Sequence, residues 1–228
     1  MTDGSAQPTA EMAAATDGVR RGALVVTWLL LVSWAVFVAP AGDGGDADRV
    51  VAWFQLDGPP LVVALFNLMG VWPLLYAAVL LRDPPQRVPA WPFVVLSFAT
   101  GAFALLPYLA LRRWGVASRP DLGKVRAAMT GRGLAGGLLL AATALMAAGI
   151  GWGDLRSLAE LAPRSGLVTT MTADFVVLTV AWWLVLHDDV RRHGGPAWAA
   201  WLGVVPVVGA PVWLLFRQVR NAPTDGAT

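Results

Sequence analysis

Six apolar runs, at roughly 23–39, 60–81, 90–111, 133–151, 167–187 and 196–216, alternate with polar punctuation along the 228 residues. At about 1.5 Å per residue, each run can cross a hydrocarbon core of about 30 Å as one helix. The pattern therefore predicts an all-α polytopic membrane helical bundle with about six transmembrane helices and both ends on one side. Residues 1–22 lack periodicity, end in Arg20 and Arg21, and read as a disordered N-terminal tail. Residues 23–217 form the transmembrane helical domain and 218–228 a C-terminal tail. The short link "RDPPQRVP" turns the second run back into the third as a pair of full passes. Gly133, Gly137 and Ala141, four residues apart, predict a close-packing face on the fourth run. The segment "DLRSLAELA" predicts a short amphipathic helix on the membrane surface. No internal repeat or soluble domain is visible.

Composition fixes the solvent. The chain is 57% hydrophobic and 14% charged, far from a soluble domain and suited to the lipid bilayer as its partner. It has no cysteine, so disulfides and thiolate metal sites are excluded. Of 17 basic residues only Lys124 is lysine, and Ala, Gly and Val abound, as in GC-rich bacterial genomes; the expected location is a bacterial inner (plasma) membrane. A net charge of +2, with no basic cluster interleaved with aromatics, excludes nucleic acid as a partner. Six straight passes put Arg20, Arg21, Arg82, Arg87, Arg156, Arg164, Arg217 and Arg220 on one side and the other nine basic residues opposite. That near-balance leaves orientation to the flanks of the first run, which favour cytoplasmic termini.

Ionisable groups at membrane depth are expensive and usually have a task. Asp174 stands about two turns inside the fifth run, on a face with Thr170, Met171, Val177, Leu178, Ala181 and Trp182. That face must turn inward. Asn67, in the second run, shares a face with Val63, Ala64, Gly70, Val71 and Leu74. Each has a plain reading as interhelical glue. Ser97, Gly101, Ala104 and Tyr108 line one face of the third run as a packing seam. His187, Asp188, Asp189, Arg191, Arg192 and His193 read as a solvated charge cluster, although two acids between histidines could hold a metal. Glu160 and Asp154, in the amphipathic connector, read as solvated or as reaching into the bundle mouth. Twelve tryptophans are many for this length. Interfacial anchoring leaves Trp28, Trp72 and Trp182 unexplained, and straight alternating passes put Trp28, Trp72, Phe98 and Asp174 in about one layer.

Such a layer suits carbocation chemistry, although proton relays and quinone sites also use intramembrane carboxyls. Desolvation disfavours a carboxylate, so an aspartate buried in apolar surroundings can act as an acid at neutral pH. It could protonate an alkene or epoxide, and aromatic faces would stabilise the resulting cation by about 2 kcal/mol or more each when desolvated. These are the requirements of carbocation cyclisation. The candidate catalytic residues are Asp174, Asn67 and Glu160, and the candidate substrate-binding residues are Trp28, Trp72, Phe98, Tyr108, Thr170 and Trp182. No metal and no cofactor is expected, because Asp188 and Asp189 are followed by Val190, Arg191 and Arg192 and not by a third acid.

Two segments carry resemblances. "FNLMGVWPLLYAAVLLRD" with "PAWPFVVLSFATGAFALLPYLALRR", over about 53–113, resembles a family of small bacterial and plastid integral membrane proteins, most of them uncharacterised. "MTADFVVLTVAWWLVLHDDVRRHG" with "VVPVVGAPVWLLFRQVR", over about 165–220, is similar to a short bacterial membrane domain with no assigned activity. By architecture the chain also resembles integral membrane terpene cyclases of bacterial indole-sesquiterpenoid and fungal meroterpenoid pathways. That resemblance implies a lipophilic prenylated substrate and an intramembrane acid that protonates it. Asp174 fills the acid's role by type and depth; Glu160 lies in a connector, and no second acid within a span matches. The alternatives are a non-enzymatic membrane subunit or assembly factor, and a small carrier or proton relay.

Overall fold

The computed structural model describes residues 7–116, 128 and 131–220, and every regular element among them is helical. Residues 221–228 of the expected tail and the basic link positions Arg119, Lys124 and Arg126 lie outside the described residues. In chain order the elements are α1 (Gln7–Ser33, continued by a π-helical turn Trp34–Val38), α2 (Asp46–Phe54), α3 (Pro60–Leu80), α4 (Trp91–Thr100) and α5 (Ala102–Leu111). There follow α6 (Arg132–Trp152), α7 (Leu155–Leu161), α8 (Gly166–Arg192), a 3-10 stretch Ala197–Val204 and α9 (Gly209–Arg220). Among the described residues four helices, α1, α3, α6 and α8, are long and apolar enough to cross a membrane.

The other two apolar runs do not form single helices. The run 90–111 breaks at Gly101, whose φ of 54° and ψ of −126° lie in a region open to glycine. Beyond that break α5 folds back along α4, so that the Phe93 and Tyr108 rings lie 5.4 Å apart. In a continuous helix fifteen residues would separate them by about 22 Å. Both ends of this hairpin sit at the C-terminal end of α3, where Arg112 pairs with Asp83 at 2.6 Å. The run 196–216 behaves alike. The 3-10 stretch descends beside α8, with the Trp201 and Trp183 rings 6.4 Å apart. It turns at 205–208, and α9 returns, so that Phe216 meets Trp198 with ring centroids 6.5 Å apart.

The chain consequently uses one order of elements twice: long helix, short helix, long helix, acid, Pro-Ala-Trp, hairpin, arginine. Pro89-Ala90-Trp91 opens the first hairpin and Pro196-Ala197-Trp198 the second. The repeat is invisible to residue-by-residue comparison because little beyond those three residues and the flanking charges is shared.

One end of the bundle is ionic. Arg112 donates to Asp83 and, at 3.1 Å, to Asp188; Arg192 reaches Asp83 at 2.6 Å; Arg217 reaches Asp189 at 2.7 Å. The Trp213 indole also donates to Asp189, at 2.7 Å. Asp83, Asp188 and Asp189 are all buried, with three acids matched by three arginines. The 187–193 segment is therefore not the solvated cluster its composition suggests: each hairpin returns an arginine to it. The guanidinium groups of Arg20 and Arg112 both lie over the Trp114 ring, at 4.5 and 4.6 Å from its centroid, which ties α1 to the same end.

At the far end Ser165 caps α8 by accepting from the Val168 N–H, and its hydroxyl donates to Asp46 at 2.7 Å. Asp43 and Asp46 both hold Arg49. Arg49 keeps the Asp43 carboxyl far below its ordinary pKa. Burial works to raise Asp46, but hydrogen bonds from Ser165, Arg49 and the Leu167 N–H leave it below its ordinary value.

Helix α3 is the centre, with 67% of its apolar window buried against 11% for α1. Helix α6 packs on α3 through Gly149, where an added Cβ would meet the Ala64 methyl at 2.8 Å. The expected face of Gly133, Gly137 and Ala141 points outward instead; Ala135, Leu138, Ala142 and Gly149 are the buried positions. Small residues occur all round α6, so spacing alone could not choose between the faces.

Candidate functional site

The first hairpin brings a helix start against the carboxyl of Asp174. Because α5 begins abruptly after Gly101, its first N–H groups have no preceding turn to bond with. The Ala102 N–H donates to Asp174 Oδ1 at 2.8 Å. A Cβ added at Gly101 would collide with Asp174 Oδ2. Glycine is thus required twice, for its backbone angles and for the approach of the carboxyl. Asp174 caps α5 from another helix.

Only one of its oxygens is committed. Oδ2 has no hydrogen-bond partner among the described residues, and Asp174 helps to line a cavity of ≈ 430 Å³. That size falls in the range of about 300–1,000 Å³ usual for small-molecule sites. Phe66 and Met69 of α3, Phe98 of α4, Phe103 of α5 and Met171 of α8 supply apolar walls, and Thr170 supplies a hydroxyl. No basic side chain lines it.

The expected site residues divide. Asp174, Phe98 and Thr170 meet at this cavity. Trp28 stands behind it, its indole donating to the Phe103 carbonyl at 3.0 Å. Trp72 and Trp182 are wholly buried and pack together at 6.1 Å; Trp72 also contacts Phe175, which follows Asp174 in α8. They form the wall's backing, not its surface. Tyr108 lies at the other end of the hairpin against Phe93. Asn67 donates to the carbonyls of Trp53 and Val63 at 3.0 and 2.9 Å, tying α2 to α3. Glu160 sits exposed on α7, paired with Arg156 at 2.7 Å. Neither Asn67 nor Glu160 lines the cavity.

Sequence reasoning placed Gly101 in a packing seam and overlooked its role. The available signal was a lone glycine midway through an apolar run that also contains Pro107. Among the described residues no group of three or more His, Asp or Glu side chains is placed to hold a metal ion. No family model, no curated protein and no solved structure matches the chain.

Proposed function

We propose that the chain is a membrane-embedded terpene cyclase in which Asp174 starts a carbocation cyclisation of a lipophilic prenylated substrate. The observation that carries the reading is the division of labour at its carboxyl: Oδ1 accepts from Ala102, while Oδ2 has no such partner beside an aromatic-walled cavity. With Oδ1 engaged by an N–H, a proton on the carboxyl belongs on Oδ2. Transfer of that proton to an alkene or epoxide of the substrate breaks the O–H bond and leaves a carbocation. Attack by an internal double bond closes the ring, and loss of a proton from the final cation ends the reaction and restores, directly or through water, the proton that Asp174 gave up, so an alkene substrate is isomerised with no net gain or loss of atoms. Phe66, Phe98 and Phe103 offer the π-faces that slow early proton loss.

The membrane setting completes the proposal. Four crossings, α1, α3, α6 and α8, take the place of the six straight passes, and both hairpins dip in from the ionic end and return to it. Each helical arm of the first hairpin, ten residues or about 15 Å long, covers half of a core of about 30 Å. On this topology, among the described residues, Arg20, Arg21, Arg82, Arg87, Arg112, Arg113, Arg132, Arg191, Arg192 and Arg217 share the ionic end, and Arg49, Arg156 and Arg164 lie at the far end. That asymmetry supports a cytoplasmic ionic end carrying both termini, in a bacterial plasma membrane.

The test is incubation of membranes containing the protein with linear farnesyl-type alkenes and epoxides. A cyclised product of unchanged mass is expected, and a well-folded Asp174→Asn variant should form none. Product formation by that variant at the wild-type rate overturns the catalytic reading and leaves Asp174 as a helix cap, which is what the non-enzymatic alternative requires.

A further inference from the structure

The cavity is one-sided. Its α8 residues, Leu167, Thr170, Met171 and Asp174, all belong to the first nine of a 27-residue helix, and its α3 residues, Phe66 and Met69, to the first half of that helix. Every one lies in the half away from the ionic end. The tip of the first hairpin, 97–103, forms the roof. The cause is geometric: a hairpin of half length fills half the depth and leaves space beneath its tip. Phe98 and Ala99, on the outer flank of that roof, are exposed. The space therefore opens sideways, where lipid chains would lie, and stays closed toward the ionic end by the hairpin itself.

We infer that the cavity takes an uncharged, chain-like lipid directly from the leaflet opposite the ionic end, with the polar group of that lipid against Asp174 Oδ2. The inference rests on the cavity being a ligand site, as the proposed function requires, but not on any reaction occurring there. The absence of basic residues from the lining excludes a diphosphate or other anionic head. The nearest lysine or arginine along the lining helix, Arg164, belongs to the connector before α8. A neutral alcohol, epoxide or quinone-like head fits a site whose polar side chains are the Asp174 carboxyl and the Thr170, Ser97 and Thr100 hydroxyls, the last two already donating to the Val94 and Leu96 carbonyls. A substrate reaching the far leaflet has crossed the bilayer or was released there uncharged, so the reaction that supplies it removes or never adds phosphate.

The cysteine-free chain makes a direct test possible. Ala99→Cys carries a bimane label in vesicles whose protein orientation is fixed by labelling a separate Arg156→Cys preparation, since Arg156 is exposed on α7. Doxyl phospholipid is exchanged into one leaflet at a time, and farnesol is the probe. The expected result is quenching several-fold stronger from the far leaflet than from the ionic-end leaflet, relieved by farnesol but not by farnesyl diphosphate. Equal quenching from both leaflets, or equal relief by the diphosphate, overturns the inference. Should Ala99→Cys fail to fold, Thr170→Cys serves in the same experiment. Sided quenching with farnesol relief but no cyclised product from the unlabelled wild-type protein retires the cyclase reading and keeps the access route; wild-type turnover with quenching from the ionic-end leaflet does the opposite.

Discussion

The two hairpins share a plan and differ at the tip. The first turns at Gly101, offers the bare N–H of Ala102 to a carboxyl from α8, and leaves an open cavity beneath. The second turns at 205–208 with Val207 fully buried at a φ of 62°, and Gly209 lies directly against the Leu202 carbonyl. Its run 197–216 contains no ionisable side chain and no hydroxyl, whereas the first contains Ser97, Thr100 and Tyr108. The tip of the second hairpin is thus a packing element, and its one polar side-chain contact among the described residues, from the Trp213 indole to Asp189, lies at the ionic end. The first has an unmet need at its tip, and Asp174 answers it. One order of elements used twice thus carries a polar site at one hairpin tip and an apolar turn at the other.

The sharpest way to break this comparison is at the arginines that anchor the two hairpins. Arg217→Leu leaves Asp189 with the Trp213 indole and with Arg192 at 3.5 Å, and removal of one buried partner costs about 3–5 kcal/mol. Arg112→Leu should cost less, because Asp83 keeps Arg192 at 2.6 Å. Thermal unfolding in detergent measures both, and the reverse order would show that the first hairpin is the more strongly held.

Next comes the tip. Gly101→Ala forces a positive φ on alanine and a methyl onto Asp174, at a cost of about 1–3 kcal/mol. Adding Asp174→Ala should recover part of it, a non-additivity of about 0.5–3 kcal/mol. Gly194, which opens the link to the second hairpin with a φ of 60° and open space around its Cβ position, is the control: Gly194→Ala should show no such coupling to Asp174→Ala. Asp174→Asn keeps an acceptor for the Ala102 N–H, so its stability loss should stay below about 1 kcal/mol while turnover disappears.

The smallest expected effect lies at the far end, remote from both hairpins. Asp46 has a depressed pKa in the folded chain, so its contribution is fully present above the unfolded value of about 3.9 and is lost as pH falls through the folded value. Stability should be flat between neutral pH and about 5 for this group. Below that range Asp46→Asn should flatten the acid-induced decline modestly, as read by unfolding midpoints at stepped pH.

Much of this was legible in the chain, and the rest was hidden for definable reasons. Hydropathy marks all six apolar runs, and four are long helices. It does not report whether a run crosses or turns back, because both require the same apolar length in the same solvent. Gly101 decides that question through backbone angles, which no hydropathy average contains. The basic residues looked balanced for the same reason: on the proposed four-crossing topology, counting the two hairpins as passes exchanges the sides of everything between them and leaves Arg217 where it was. Asp174 was conspicuous because a lone acid in an apolar run has few neutral explanations. Its partner was not, since a backbone N–H carries no side-chain signature. Asp188 and Asp189 looked solvated because the arginines that bury them stand 76 and 28 residues away.

The ionic end also has a history in time. A chain made from its N-terminus delivers Asp83 first, and its first partner, Arg112, follows 29 residues later. That pair can close while the second half is still unmade. Asp188 and Arg192 arrive afterwards and must be admitted to a pair already formed, and Asp189 waits a further 28 residues for Arg217. Helix α9 therefore carries the cation that neutralises the last of these three acids to be made. Until then the ionic end holds three acids against two arginines, a mark by which a copy that stops before α9 differs from one that includes it.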